Sequence, residues 1–129
     1  MSKSTHLLII NLDADICLQI REVCSKHNVQ VSCLCRNDLI NFDAKWWVTQ
    51  RYAIADAVVL AGHIPGHSLT SGVEIGKSIR HVRPKMTVII ISDDATLAQQ
   101  LTEHDGITFI HRNGDNLHLD EIAKVLQIA

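Results

Sequence analysis

The chain has 129 residues, with 12 Lys and Arg against 14 Asp and Glu, so its formal net charge is −2 at pH 7 with the eight His taken as neutral. This length predicts one domain over residues 1–129, the hydrophobic share of 47% excludes a disordered chain, and the lack of a basic excess argues against nucleic acid as a partner. No apolar stretch approaches the roughly 18 residues of a membrane span and no secretory signal opens the sequence, so we expect a cytoplasmic protein without membrane contact.

The first half of the chain alternates short apolar strands with helical stretches. Residues 7–10 form a continuous apolar run, which is typical of a strand buried on both faces. A helix that ends near residue 26 is predicted to follow, with Asp13 or Asp15 as its N-cap. Residues 29–35 alternate apolar and polar side chains as a second strand, and residues 38–52 are predicted to form a second helix.

The second half of the chain continues this alternation and completes five strand–helix units. The predicted elements are a strand at 57–61, a helix at 72–82, a strand at 86–91, a helix at 95–104, a strand at 107–110 and a helix at 116–128. Such units need crossover connections, so the sequence predicts an α/β fold: a doubly wound parallel sheet with helices on both faces.

In open sheets of this kind, ligands and chemistry are found at the carboxyl ends of the strands. The candidate site residues are therefore those that follow each predicted strand. They are Asn11, Leu12 and Asp13, then Arg36 and Asn37, then Ala61, Gly62 and His63, then Ser92, Asp93 and Asp94, and last His111, Arg112 and Asn113.

Five segments of the chain share their order and spacing with one known family. They are residues 9–16, residues 56–66, residues 71–80, the strand that ends at Ser92, and residues 106–112. Together they resemble the response-regulator receiver domain, the CheY-like module of two-component signalling, over about residues 6–128. The resemblance implies the strand order 2-1-3-4-5 and leaves no room for an output domain.

The resemblance also identifies the residues that replace the family's phosphorylation site. That family uses an acidic pair for Mg²⁺, an acceptor Asp, a hydroxyl residue and a Lys, because a dication and an ammonium offset the charge on the phosphoryl group. The matching residues are Asn11 and Leu12, Ala61, Ser92, and Arg112. Ala61 has no nucleophile and Leu12 no oxygen for Mg²⁺. We therefore expect no phosphorylation, no enzymatic activity, no metal and no cofactor.

Four aspartates could in principle replace the missing carboxylates or bind a cation. Asp56 lies five residues before Ala61, about 16 Å along a strand, and is expected at the opposite edge of the sheet. Asp13 would replace one carboxylate only after a one-residue shift, which would turn the buried strand over. Of Asp93 and Asp94, one is expected to cap the following helix and the other to be solvated.

The resemblance implies a stand-alone pseudo-receiver that acts by protein contact, with a kinase, another regulator or its own copy as partner. Trp46 and Trp47 are adjacent on a predicted helix, so one of them is expected to be partly exposed and to favour partner binding. Packing both in a wide groove is the other interpretation. Phe109 and His111 are further candidates for the contact face, although a Phe on a central strand usually belongs to the core.

Other features leave alternatives open. A small-ligand or anion sensor could use Arg112, Ser92 and Asn11 with the edge histidines His63, His67 and His111, although loop histidines are more often solvated. The long loop at 65–72 is either a recognition loop or a tolerated surface insertion. The four cysteines are expected to be free thiols; they are Cys17, Cys24, Cys33 and Cys35.

Overall fold

Five short runs rich in apolar, mostly β-branched residues form the strands of one parallel sheet. The computed structural model describes residues 6–10, 14–34, 55–61, 72–112 and 118–127. The strands are β1 (His6–Ile10), β2 (Gln30–Leu34), β3 (Ala57–Ala61), β4 (Thr87–Ser92) and β5 (Ile107–His111). Their order in the sheet is β2-β1-β3-β4-β5, which confirms the predicted doubly wound architecture.

Three α-helices and two 3-10 helices accompany the sheet within the described residues. The α-helices are α1 (Ala14–Ser25), α2 (Gly72–Val82) and α3 (Leu119–Val125), and the 3-10 helices are η1 (Ala95–Gln100) and η2 (Glu103–Asp105). Helix α1 forms because Ile16, Ile20 and Cys24 recur every fourth residue and are all buried. It ends where Asn28 takes a left-handed φ of 59°, with Val29 N donating to Cys24 O at 3.1 Å.

Alternation along the strands divides the core into two clusters, one on each face of the sheet. In β1, for example, Leu7 and Ile9 face one side while Leu8 and Ile10 face the other. We call the first the α1-side cluster; its buried members are Leu7, Ile9, Ile16, Ile20, Cys24, Val29, Ala57, Val59, Ile89, Ile91, Ile110, Ile122, Ala123 and Leu126. The second is the α2-side cluster, made of Leu8, Ile10, Ala55, Val58, Leu60, Val73, Ile79, Met86, Val88, Ile90 and Leu97.

The prediction of one helix over 95–104 is wrong, because this stretch forms η1 and η2 instead. Leu101 is extended, with φ −105° and ψ 146°, and interrupts the helical path. Thr102 N donates to Asp105 Oδ2 at 2.8 Å, which favours a separate short turn and lowers the pKa of the Asp105 carboxyl below its ordinary value. Lys77 Nζ also donates to Gln100 O at 2.7 Å, so this carbonyl is bound from outside the segment.

Smaller differences concern the ends of two helices. Asp15 is the second residue of α1 rather than its N-cap, and Asp13 lies outside the described residues. Helix α3 is shorter than the predicted 116–128, because His118 and Gln127 on either side of it have positive φ angles of 52° and 61°. The predicted helix at 38–52, with Trp46 and Trp47, and the loop at 65–71 also lie outside the described residues, as does Cys35.

Candidate functional site

Strand register defines which residues share the carboxyl edge of the sheet. Ile10 is in register with Leu60, and Ala61, the last residue of β3, is in register with Ile91. Ser92 ends β4 in register with His111, the last residue of β5. Ala61, Ser92 and His111 therefore end three neighbouring strands at one edge. Asn11, Leu12, Asp13, His63 and His67 lie outside the described residues.

Ala61 occupies the end of the central strand with a methyl side chain. It is partly exposed, whereas the four residues before it in β3 are buried. Its side chain offers neither a lone pair for nucleophilic attack nor an oxygen for a metal ion. The strand end that faces the carboxyl edge therefore carries no chemistry of its own.

Ser92 is the only polar residue that is buried among the described ones, with 7% of its surface exposed. Its hydroxyl oxygen accepts a hydrogen bond from Asp94 N at 3.1 Å, and its carbonyl oxygen accepts one from Arg112 N at 2.8 Å. This hydroxyl thus has a structural partner in the turn that leaves β4. Arg112 follows β5 directly, and its side chain is half-buried at the same edge.

The two aspartates after β4 have different roles. Asp94 is the N-cap of η1: its side chain accepts from Thr96 N at 3.0 Å and also from the Thr96 hydroxyl. Asp93 is exposed, and its carbonyl accepts from His111 Nε2 at 3.1 Å when that nitrogen carries the proton. This confirms that one of the pair caps the helix. No group of three or more metal-ligating side chains occurs within the described part of the chain.

Asp56 lies at the opposite edge of the sheet, as the sequence predicts. Its backbone N donates to His6 O at 3.1 Å, and its carbonyl accepts from Thr87 N at 3.1 Å. Both partners are the first residues of their strands. Asp56 therefore cannot reach the carboxyl edge and cannot replace a carboxylate at the position of Ala61.

The candidate contact residues on β5 differ in exposure. Phe109 is partly buried and packs against the α2-side cluster beside Ile107 and Leu101. His111 is exposed at the strand end. Because β5 is an edge strand, this half-covered aromatic lies close to the rim of the sheet rather than in its centre. Phe109 thus combines a packing role with an accessible position.

The structure also shows a contact between Arg21 and Cys33 that the sequence does not indicate. Cys33 Sγ of β2 accepts a hydrogen bond from Arg21 Nη2 of α1 at 3.3 Å, and Cys17 lies one helical turn before Arg21. The four-residue spacing of Cys17 and Arg21 is visible in the sequence. The contact with Cys33 is not, because it depends on how α1 lies over β2.

The solved structures that match this architecture are receiver domains of response regulators. The fold is that of a response-regulator receiver domain. The signal receiver domain of an HD domain-containing protein from Pseudomonas fluorescens Pf-5 matches with a TM-score of 0.69 at 16% identity, over 95% of this chain and 91% of that one. The isolated REC domain of RcsB from Salmonella enterica serovar Typhimurium, determined in the presence of phosphomimetic BeF3-, matches with 0.69 at 15% identity, over 95% and 88%.

A third receiver structure supports the same assignment. The chemotaxis response regulator CheY4 of Vibrio cholerae matches with a TM-score of 0.66 at 12% identity, over 95% of this chain and 96% of that one. No protein-family model matches the sequence, and a search of curated proteins finds no match. Likeness at these identities shows the fold, so function has to be argued from the residues at the site.

Proposed function

We propose that this chain is a pseudo-receiver: a receiver-fold protein of two-component signalling that acts by contact with another protein and accepts no phosphoryl group. The observation that carries the proposal is the position of Ala61. It is the last residue of β3, in register with Ile91 and therefore one residue short of Ser92 on β4. The receiver fold reserves this strand end for the attacking carboxylate, and a methyl group cannot attack phosphorus.

The neighbouring acidic residues support this proposal because their positions suit other roles. The Asp94 carboxylate accepts hydrogen bonds at the start of η1, and Asp56 lies at the amino ends of the strands. Leu12, which matches a metal-ligand position by sequence, offers Mg²⁺ no oxygen. Arg112 in place of a Lys would bind an anion through a planar fork rather than through a point charge.

Phosphorylation with a small phosphodonor tests the first half of the proposal. The purified chain would be incubated with acetyl phosphate and Mg²⁺, and its intact mass recorded beside a receiver domain that retains the full acidic set. We expect the mass of this chain to stay unchanged while the control gains one phosphoryl group. A phosphoprotein formed from this chain would overturn the proposal, whichever residue carried the group.

Protein contact, the second half of the proposal, is supported by the half-exposed Phe109 and the exposed His111 on edge strand β5. A partner captured from native lysate would be purified, and its binding to the chain measured by calorimetry. We expect His111→Ala to weaken binding. Gln19→Ala is the control and should leave binding unchanged, because Gln19 is an exposed residue of α1, which covers the opposite face of the sheet from Phe109. Sedimentation of the chain alone would show whether a second copy is the partner.

The alternative is a sensor of small anions, and it is favoured by the convergence of Arg112, Ser92 and His111 at one edge. A ligand present at 100 times its dissociation constant would stabilise the folded state by about 2.7 kcal/mol. We expect no such stabilisation from phosphate or small carboxylates in a thermal-unfolding screen. A rise in the unfolding temperature that Arg112→Gln abolishes would favour the sensor over the interaction module.

A further inference from the structure

Arg21 of helix α1 contacts Cys33 of edge strand β2, and Cys17 lies one helical turn before Arg21. Arg21 Nη2 donates a hydrogen bond to Cys33 Sγ at 3.3 Å. Cys17 lies four residues before Arg21, hence on the same face of α1. The hydrogen bond with Cys33, followed by the charge interaction with Cys33, raises the pKa of Arg21 above its ordinary value. The guanidinium therefore stays charged beside the Cys33 sulfur.

Both sulfur atoms lie on the same side of the sheet and within reach of a small reagent. Cys33 is in register with Ile9, a member of the α1-side cluster, so its side chain points toward α1. Cys17 and Cys33 each pack at the rim of this cluster and are partly exposed. Arg21 is exposed. A reagent of the size of hydrogen peroxide can approach these thiols without opening the core.

Cys24 provides an internal reference for a thiol that should not react. It is completely buried in the α1-side cluster, and burial raises the pKa of its thiol. A buried, protonated thiol is a poor nucleophile, since the thiolate is the reactive form. A difference in reaction rate between Cys24 and the partly exposed Cys17 and Cys33 would therefore reflect the surroundings of each thiol.

We propose that Cys33 is a covalent modification site for hydroperoxides, with Arg21 as its positioning residue and Cys17 as the second thiol. This goes beyond the proposed function, and neither proposal depends on the other. Both use the same fold, but the thiol cluster lies between α1 and β2 and contains no residue of the carboxyl-edge site.

The reaction consists of two balanced steps. In the first, the Cys33 sulfur attacks one oxygen of H₂O₂; a sulfur–oxygen bond forms, the oxygen–oxygen bond breaks, and sulfenic acid and water result. The sulfur loses two electrons to the peroxide, and the positive guanidinium of Arg21 is placed to offset negative charge at the sulfur. In the second, the Cys17 sulfur attacks the sulfenic sulfur; a disulfide forms, and the hydroxyl leaves as water with the thiol proton.

Peroxide treatment of the full chain tests this assignment. The reduced protein would be exposed to hydrogen peroxide, quenched by alkylation and mapped by peptide mass spectrometry. We expect Cys17 and Cys33 to become protected from alkylation together, as one disulfide, while Cys24 stays reduced. A Cys33 that remains reduced, or a sulfenic acid at Cys33 that persists beside a reduced Cys17, would overturn the proposal.

Matched variants separate the role of Arg21 from a general effect of charge. Arg21→Gln should slow oxidation of Cys33 about tenfold, whereas Lys26→Gln, which removes an exposed cation just beyond α1, should leave the rate unchanged. Equal rates in the parent and in Arg21→Gln would contradict the positioning role. Cys35→Ser should still form the Cys17–Cys33 disulfide, and its loss in this variant would assign the chemistry to Cys35 instead.

Discussion

At the scale of single residues, the side chain of Ser92 has a structural role in the turn after β4. It is buried, and its hydroxyl oxygen accepts the Asp94 N–H at 3.1 Å in the turn after β4. The sequence resemblance matches Ser92 to the hydroxyl residue of a receiver phosphorylation site, but this hydrogen bond needs no phosphoryl group. The turn after β4 therefore gives this hydroxyl a structural role.

Removing this hydroxyl should lower the stability of the fold. We expect Ser92→Ala to reduce the free energy of unfolding by about 1 kcal/mol, because the Asp94 N–H loses its partner in a poorly solvated place. Urea unfolding of the parent and the variant measures the change. Ser25→Ala is a matched control, since the Ser25 hydroxyl donates to Glu22 O on an exposed helix face. Equal stabilities of the parent and Ser92→Ala would show that water replaces the hydroxyl.

Gly106 has to be glycine for two separate reasons. Its φ is +65°, a left-handed conformation, and a Cβ would overlap the guanidinium of Arg80. Arg80 cannot move away freely, because Nε donates to Asp105 O at 3.2 Å and Nη1 to Met86 O at 3.0 Å. Gly106→Ala should therefore destabilise the fold by about 1–2 kcal/mol from the backbone alone, with a further loss from Arg80. Both losses are measurable by urea unfolding.

A double-mutant cycle separates the two contributions at Gly106. In the Arg80→Ala background the overlap is absent, so Gly106→Ala should cost less than it does in the parent. The same cost in both backgrounds would mean that Arg80 adjusts without losing its hydrogen bonds. Such a result would leave the backbone conformation as the whole reason for glycine at this position.

The buried thiol of Cys24 predicts a pH dependence of stability. Burial raises its pKa above the ordinary value of 9.0, so the folded state keeps the proton more tightly than the unfolded state. The stabilisation is complete below the unfolded pKa and is lost as pH rises through the folded pKa. Urea unfolding at increasing alkaline pH should show a steeper decline for the parent than for Cys24→Ala. Parallel declines would indicate that other groups dominate.

At the scale of elements, η1 and η2 in residues 95–105 bury few side chains against the sheet. Only Leu97 of η1 is buried, and η2 contributes no buried residue. Short 3-10 helices have poorer hydrogen-bond geometry than α-helices. This region therefore has little apolar burial to oppose local opening, unlike β4, whose last five residues are all buried.

Hydrogen exchange should report this difference directly. We expect backbone amides of residues 95–105 to exchange much earlier than those of β4 and α2, since local opening costs least where few apolar side chains are buried. Exchange followed by mass spectrometry on short peptides resolves the three regions. Protection of residues 95–105 equal to that of β4 would contradict the expectation and indicate one cooperative unit.

The elements that sequence patterns predicted best are those whose pattern reflects burial. The strands of a parallel sheet are covered on both faces, so β3 and β4 appear as continuous apolar runs with clear limits. The stretch at 95–104 has helical spacing at Leu97 and Leu101, but the side chain of Asp105 binds Thr102 N and ends that pattern. Such local competition depends on side-chain geometry that a periodicity cannot show.

The sequence predicts the positions of candidate site residues only where these follow from their place along a strand. The matches of Ala61 and Ser92 to strand ends follow from counting along the strands, and the register confirms both positions. The meeting of Arg21 with Cys33 depends on the packing of α1 over β2, which no single segment encodes. Trp46 and Trp47, on which the sequence placed a contact face, lie outside the described residues.

At the scale of the whole molecule, stability depends on the central strands that separate the two clusters. Leu60 lies on β3, is completely buried and belongs to the α2-side cluster. Leu60→Ala should cost about 2–5 kcal/mol through lost burial and a remaining cavity. Leu18→Ala on α1, where 58% of the side chain is exposed, should change stability by less than about 0.5 kcal/mol. Similar effects of the two changes in urea unfolding would be incompatible with this core.

The packing of α3 beside α1 has a consequence for the order in which the protein is made. Both helices cover the α1-side cluster, yet they stand at opposite ends of the described chain, at 14–25 and 119–125. During translation, the apolar residues of α1, β1 and β3 leave the ribosome long before Ile122 and Ala123 arrive to cover them. The nascent chain therefore exposes the part of the α1-side cluster that α3 covers until residues 119–125 have been made, and chaperones can protect this apolar surface up to that point.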